Sequence, residues 1–170
     1  GIGSTDAGVT FDGPISLNSQ GYMYFPTGDT TTDRGRGRAV FLGGGQPATT
    51  VISFINIQSG GIAQGFGSLT TSKNSLRGGS SSTRGLSAHS ASTVDNSIEF
   101  VTIPTQSNAT DFGDMSGTSS SGATGSNETR AVFWIGTVPS TGNTIDFATI
   151  ATTGNTSDFG DMTVGVRHID

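Results

Sequence analysis

The chain has 170 residues, 31% hydrophobic and 12% charged, with 27 glycines, no cysteine and a formal net charge of −5. This composition excludes a large conventional core, disulfides, zinc–cysteine sites and thiolate chemistry. The acidic balance, with Lys73 the single lysine, argues against wholesale nucleic-acid binding, which needs many phosphate-neutralising cations.

What remains is an all-β chain of short strands, in which glycine supplies turn geometries that other residues resist. Regularly spaced Ile and Phe residues oppose the disordered reading of a Gly/Ser/Thr-rich chain. No apolar run approaches the roughly 18 residues of a membrane span. Gly1-Ile2-Gly3-Ser4-Thr5-Asp6 lacks the basic start and apolar stretch of a signal peptide, so if the chain begins at a processing site any leader is already gone.

In chain order, residues 1–37 form an N-terminal β segment serving as a cap, arm or attachment. Strands are expected at Val9-Thr10-Phe11 and Tyr22-Met23-Tyr24-Phe25, within a region bounded by Pro14 and Pro26. Met23 lies 15 residues before Arg38, the spacing that also separates Leu69 from Arg84 and Met115 from Arg130, so this segment holds the end of a degenerate earlier copy. Arg34-Gly35-Arg36-Gly37-Arg38 has the composition of an RNA-binding Arg/Gly tract. The register of Arg38 instead makes it a turn entering a strand, with arginines facing carboxylates.

From Arg38 onward a 46-residue period governs the chain. Arg38, Arg84 and Arg130 are spaced by 46; Phe54, Phe100 and Phe147, like Phe66, Phe112 and Phe159, follow at 46 and 47, one insertion early in the third copy explaining each 47. Such a period means stacked or radially arranged units, each too small to bury its own core. The domain 38–170 divides into copies 38–83, 84–129 and 130–170.

Each copy opens with a short strand into a turn, Arg38-Ala39-Val40-Phe41, Arg84-Gly85-Leu86 and Arg130-Ala131-Val132-Phe133-Trp134. Ser87-Ala88-His89 departs from the aromatic and glycine residues of the first copy. The main strand follows at 52–57, 98–103 and 145–150, with Ile and Phe two apart. The next apolar residue comes directly after the Phe, so either a bulge interrupts the strand or both its faces are buried, and a layered repeat favours the second. The third piece contains Gly67, Gly113 and Gly160 in Phe-Gly steps. A polar linker ends each of the first two copies, and Val164-Gly165-Val166-Arg167 forms a final short strand.

Shared positions are scaffold, so contacts with other molecules belong to the loops that differ, around residues 46–49, 87–93 and 138–142. Within them Gln46 and His89 are candidate ligand contacts. Trp134 is a candidate for stacking on a sugar, against a stronger expectation of a core or interface role because its repeat position matches Leu42.

Asp-Phe-Gly at 111–113 and 158–160 is shared with the kinase magnesium motif, whose companion signatures are absent. Asp111 with Asp114, and Asp158 with Asp161, fall far short of a calcium ligand set. A turn in which Asp bonds backbone N–H groups and Gly takes a positive φ accounts for the motif. The repeated arginines are expected to pair with these acids between neighbouring copies, Arg84 or Arg130 with Asp111 or Asp158. His89 and His168 stand in different contexts, no Gly-x-Ser-x-Gly turn is present, and nothing places two of Asp95, Glu99, Glu128 and Asp146 together for glycoside cleavage. No enzyme activity, cofactor or metal is expected. The triplets at Asn108, Asn127 and Asn155 match glycosylation acceptors by chance in a chain rich in Asn, Ser and Thr.

The run Ser80–Gly85 and the block Asn143-Thr144-Ile145-Asp146-Phe147-Ala148-Thr149-Ile150-Ala151-Thr152-Thr153-Gly154-Asn155-Thr156-Ser157-Asp158-Phe159-Gly160-Asp161-Met162 resemble the kelch-like repeats of virion structural and tail-fibre proteins of marine tailed phages, notably cyanophages. There an Arg-Gly-x-Phe-x-Gly-Gly strand leads to an Asn-Thr-Ile-Asp-Tyr-Val-Thr-Ile-Ala-Thr-Thr-Gly-Asn-Ala-x-Asp-Phe-Gly-Asp-Leu block. The resemblance covers roughly residues 34–165, nearly fully in the third copy, well in the second and with drift in the first.

It implies β-propeller-like blades, about three units with partial units at both ends. A closed propeller needs at least four, so closure would require the end pieces or other chains, the alternative being an open β-stack. Unpaired edges favour association, and a homo-oligomer follows, a trimer by analogy with phage fibres. The implied function is a non-enzymatic virion component of a tail fibre or capsid-attached fibre, in an extracellular particle. Its partners are other virion proteins, copies of itself and a host surface glycan, with no nucleic acid and no membrane; the resemblance carries no catalytic residue across. A carbohydrate-binding module and a self-assembling extracellular filament or surface-layer subunit are the alternatives.

Overall fold

The computed structural model describes residues 16–17, 23–24, 37–45, 47–57, 61–90, 94–136 and 141–166. The chain forms two compact units, Gly1–Thr30 and Thr31–Asp170. In the first, β1 (Ser16–Leu17) pairs antiparallel with β2 (Met23–Tyr24). Val9–Phe11 lies outside the described residues.

The second unit is all β, in three antiparallel sheets. The first contains β3 (Arg38–Leu42), β4 (Thr49–Asn56) and β5 (Gln64–Lys73). The second contains β6 (Arg77–Ser80), β7 (Arg84–Ala88), β8 (Asp95–Thr102) and β9 (Thr110–Ser119). The third contains β10 (Ser121–Ser126), β11 (Arg130–Gly136), β12 (Gly142–Thr149) and β13 (Ser157–Val166). Every sheet is an open meander joined in chain order, and none closes on itself.

The sequence period becomes structural equivalence. Arg38 pairs with Asn56, Arg84 with Thr102 and Arg130 with Thr149. Ile52 pairs with Gly67, Ile98 with Gly113 and Ile145 with Gly160, and each last pair of strands carries an irregularity immediately after that step. The extra residue lies on the last strand, where Gly113 and Gly160 take φ of 142° and 137°, a region that side chains resist. The Asp-Phe-Gly segment is thus a bulge within a strand, not a chain-reversing turn.

Two expectations need correction. The polar linkers are strands: β6 and β10 pair with β7 and β11 through tight hairpins. The second and third sheets therefore begin before Arg84 and Arg130, not at them. Val164–Val166 likewise continues β13 rather than forming a separate strand. The main strands alternate regularly, and β8 is buried on both faces. Ile98 and Phe100 pack towards the third sheet in a cluster with Leu86, Phe112, Met115, Phe133, Ala148 and Ile150. Val101 packs towards the first sheet with Ile52, Phe54, Phe66 and Leu69. The sheets thus stack face to face over two separate apolar layers.

Candidate functional site in the sheet-to-sheet interfaces

The repeated polar residues converge on the contacts between successive sheets. Arg38 lies over the Phe54 ring at 4.9 Å, Arg84 over Phe100 at 4.6 Å and Arg130 over Phe147 at 4.8 Å. From that perch Arg38 Nη1 donates to the carbonyls of Ile103 and Pro104, both at 2.9 Å, and Arg84 Nη1 to those of Ile150 and Ala151 at 3.0 and 2.9 Å. The expected carboxylate partners Asp111 and Asp158 are replaced by turn carbonyls of the following sheet. A planar guanidinium stacks on the ring while its edge remains free to donate.

A second set of locks uses acids. The Glu99 carboxylate accepts from Thr70 N–H at 3.1 Å and Thr70 Oγ1 at 2.8 Å, and Asp146 accepts from Ser116 N–H at 2.7 Å and Ser116 Oγ at 3.0 Å. Both acids are buried, at 2% and 0% exposure. Asp146 also accepts from Thr156 Oγ1 at 2.6 Å. Lys73, itself 2% exposed, pairs with Glu99 at 3.1 Å and Asp95 at 3.4 Å and donates to Ser97 Oγ at 2.6 Å. Buried charge is tolerated only when paired and hydrogen-bonded in this way.

A third set uses asparagine. Asn108 Oδ1 accepts from Ser68 N–H at 3.0 Å, and Asn155 Oδ1 from Asp114 N–H at 3.1 Å. Backbone bonds run beside them, Ala109 N–H to Ser68 O and Thr156 N–H to Asp114 O, both 2.9 Å. The chain passes so close that a Cβ on Gly67 would strike the Ser107 carbonyl and one on Gly113 the Gly154 carbonyl. Asn127 Oδ1 accepts three donors in its hairpin, from Thr129 N–H, Thr129 Oγ1 and Arg130 N–H. The three glycosylation-like triplets thus supply structural acceptors. The regular recurrence of Asn108 and Asn155 was the sequence signal for this role.

The loop candidates fare differently. Gln46 lies outside the described residues, as do 91–93 and 138–140. Trp134 is buried, its Nε1 donating to Gly142 O at 3.1 Å, so it belongs to the core rather than to a sugar-stacking surface. His89 is also withdrawn from solvent, at 0% exposure, which corrects its assignment as a ligand contact. It holds φ of 63°, the conformation taken by Gly43 at the matching position of the first copy, with φ of 64°. Neither ring nitrogen has a hydrogen-bond partner. Burial, and then the nearby Arg77 charge, lower its pKa from 6.5 to about 4. No group of three or more His, Cys, Asp or Glu side chains able to hold a metal occurs among the described residues.

These features define an all-β repeat protein whose recurring side chains are consumed in fastening each sheet to the next. No protein-family model and no curated protein matches the chain.

Proposed function

We propose that this chain is a non-enzymatic structural protein of a virus particle, a component of a tail fibre or capsid-attached fibre. The observation that carries the scaffold part of this reading is the use of the repeated Arg, acid and Asn residues in inter-sheet locks, which stiffen an array. The virion part rests on the resemblance of residues 34–165 to kelch-like phage proteins. Such a frame assembles with other virion proteins and with copies of itself, a trimer being the arrangement suggested by phage fibres. Contact with a host surface glycan, if the particle uses this chain for attachment, falls to exposed loop residues rather than to His89 or Trp134.

Mass spectrometry of purified phage particles, with gold-labelled antibody in electron micrographs, tests the assignment. Peptides of this chain at stoichiometric abundance and label on a fibre are expected; their absence from particles would remove it. A self-assembling extracellular filament is the second reading, favoured by the exposed apolar side chains Phe41 and Ile57 on the first sheet and Phe159 and Val164 on the third. It predicts polymers from the purified chain and none of it in particles.

A further inference from the structure

The three sheets are equivalent, yet the matching faces differ in what covers them. Phe66 and Phe112 are 4% and 2% exposed beneath the following sheet, whereas Phe159 at the same position of the third sheet is 55% exposed. Leu69 and Met115 are buried while Met162 is half-buried, and Ile52 and Ile98 are buried while Ile145 is half-buried. Val164 adds another exposed apolar side chain, at 66%. Polar groups follow the same rule. Arg130 keeps its stack on Phe147, but among the described residues no turn carbonyls receive its guanidinium as they receive those of Arg38 and Arg84. Thr163 occupies the place of Thr70 and Ser116, and Asp161 that of Ser68 and Asp114, without the acid and the asparagine that those residues engage.

The opposite face of the first sheet is the counterpart. Phe41 and Ile57 are 53% and 62% exposed, while Phe133 and Ile150, at the matching positions of the third sheet, are buried in the layer that receives the second. The backbone bond that closes the carbonyl-bearing turn is also present in the first sheet. It runs from Ile57 N–H to Gly37 O at 2.7 Å, as Ile103 N–H to Thr83 O and Ile150 N–H to Thr129 O close the other two turns at 2.8 and 2.9 Å.

We propose that the outer face of the third sheet docks on the outer face of the first sheet of a second copy, repeating between molecules the contact that joins sheets within one. The two internal interfaces specify the occupant: a sheet of this same register, with apolar residues at the positions of Phe41 and Ile57 and a turn carbonyl for Arg130. The contact is head to tail, so it yields rows, or a ring if the rotation closes. It is weaker than the internal contacts, because Ser53 stands where Glu99 and Asp146 supply the carboxylate and Ile62 stands where Asn108 and Asn155 supply the amide. The proposal rests on the reading of this chain as an assembling scaffold. It is tested on the purified chain alone, so its failure is distinct from absence of the protein in virus particles.

Sedimentation velocity of the full chain over a concentration series is the experiment. Reversible association is expected for the parent. Phe159→Arg and Phe41→Arg, each on an exposed residue of one face, should each remain monomeric, with circular dichroism confirming the fold. Mixed together they retain one live face apiece and should form a one-to-one dimer and nothing larger. Ser53→Asp, which restores the missing carboxylate opposite Thr163, should tighten association about tenfold, and adding Thr163→Ala should cancel that gain. A parent that stays monomeric at the highest concentration would overturn the proposal. So would association that survives both single substitutions, or a Ser53→Asp chain that binds no more tightly.

Discussion

Arg84 reaches from its stack on Phe100 to the carbonyl of Ile150, 3.0 Å away in the following sheet. One side chain thereby fixes both its own sheet and the turn of its neighbour. Arg84→Ala removes two charge-assisted bonds and the ring contact, and should lower stability by about 2–3 kcal/mol in denaturant unfolding. Arg130→Ala loses the ring contact without an intramolecular carbonyl pair, so about 0.5–1 kcal/mol is expected for the monomer. Equal losses for the two would contradict the lock.

Asp146→Ala should cost about 1–3 kcal/mol, because it removes the part-buried bonds from Ser116 N–H and Oγ and from Thr156 Oγ1. Glu99→Ala should cost more, about 3–5 kcal/mol, since it also strips buried Lys73 of its 3.1 Å partner. The double variant Glu99→Ala with Lys73→Met should recover part of that loss. Thermal melts of the three proteins rank them.

The recurring glycine separates crowding from backbone strain. Gly113→Ala meets both, from the Gly154 carbonyl and from φ of 142°, whereas Gly160→Ala meets only φ of 137° with open space around it. Gly67→Ala meets the Ser107 carbonyl with no positive φ. Strain and overpacking are each worth about 1–3 kcal/mol, so Gly113→Ala should give the largest drop in melting temperature of the three.

Acid should weaken the fold through His89. Its folded-state pKa of about 4 lies below the ordinary 6.5, so between those values the unfolded chain binds a proton that the folded chain refuses. The stability is fully present above pH 6.5 and declines as pH falls towards 4, by on the order of 3 kcal/mol at about 1.4 kcal/mol per unit. An imidazole NMR titration should place the midpoint near 4. His89→Gly, matching Gly43, should flatten the corresponding part of the stability profile.

Much of the architecture was legible because Ile and Phe recur two apart on strands that need an apolar face. The Arg and Phe rows marked equivalent positions for the same reason. The strands β6 and β10 were hidden because their support comes from neighbours. Ser80 N–H donates to Ser126 Oγ at 2.9 Å, and Gly79 lies close enough to β10 that a Cβ there would meet Thr124 and Ser126. Such a Ser/Gly strand carries no periodic apolar signal. The arginine partners were misread for a related reason: a carboxylate is visible in sequence, whereas a turn carbonyl belongs to every residue and announces nothing. Burial of His89 was equally silent, since its left-handed backbone emerges only in the folded chain.

The 46-residue match between Ser80 and Ser126 across neighbouring sheets has a genetic counterpart. A duplication or deletion of one period that places a second- or third-copy sheet after the join keeps donor opposite acceptor there, because those copies carry Glu99 or Asp146 and Asn108 or Asn155. Steps of one whole period among those copies therefore need no fresh optimisation at the junction.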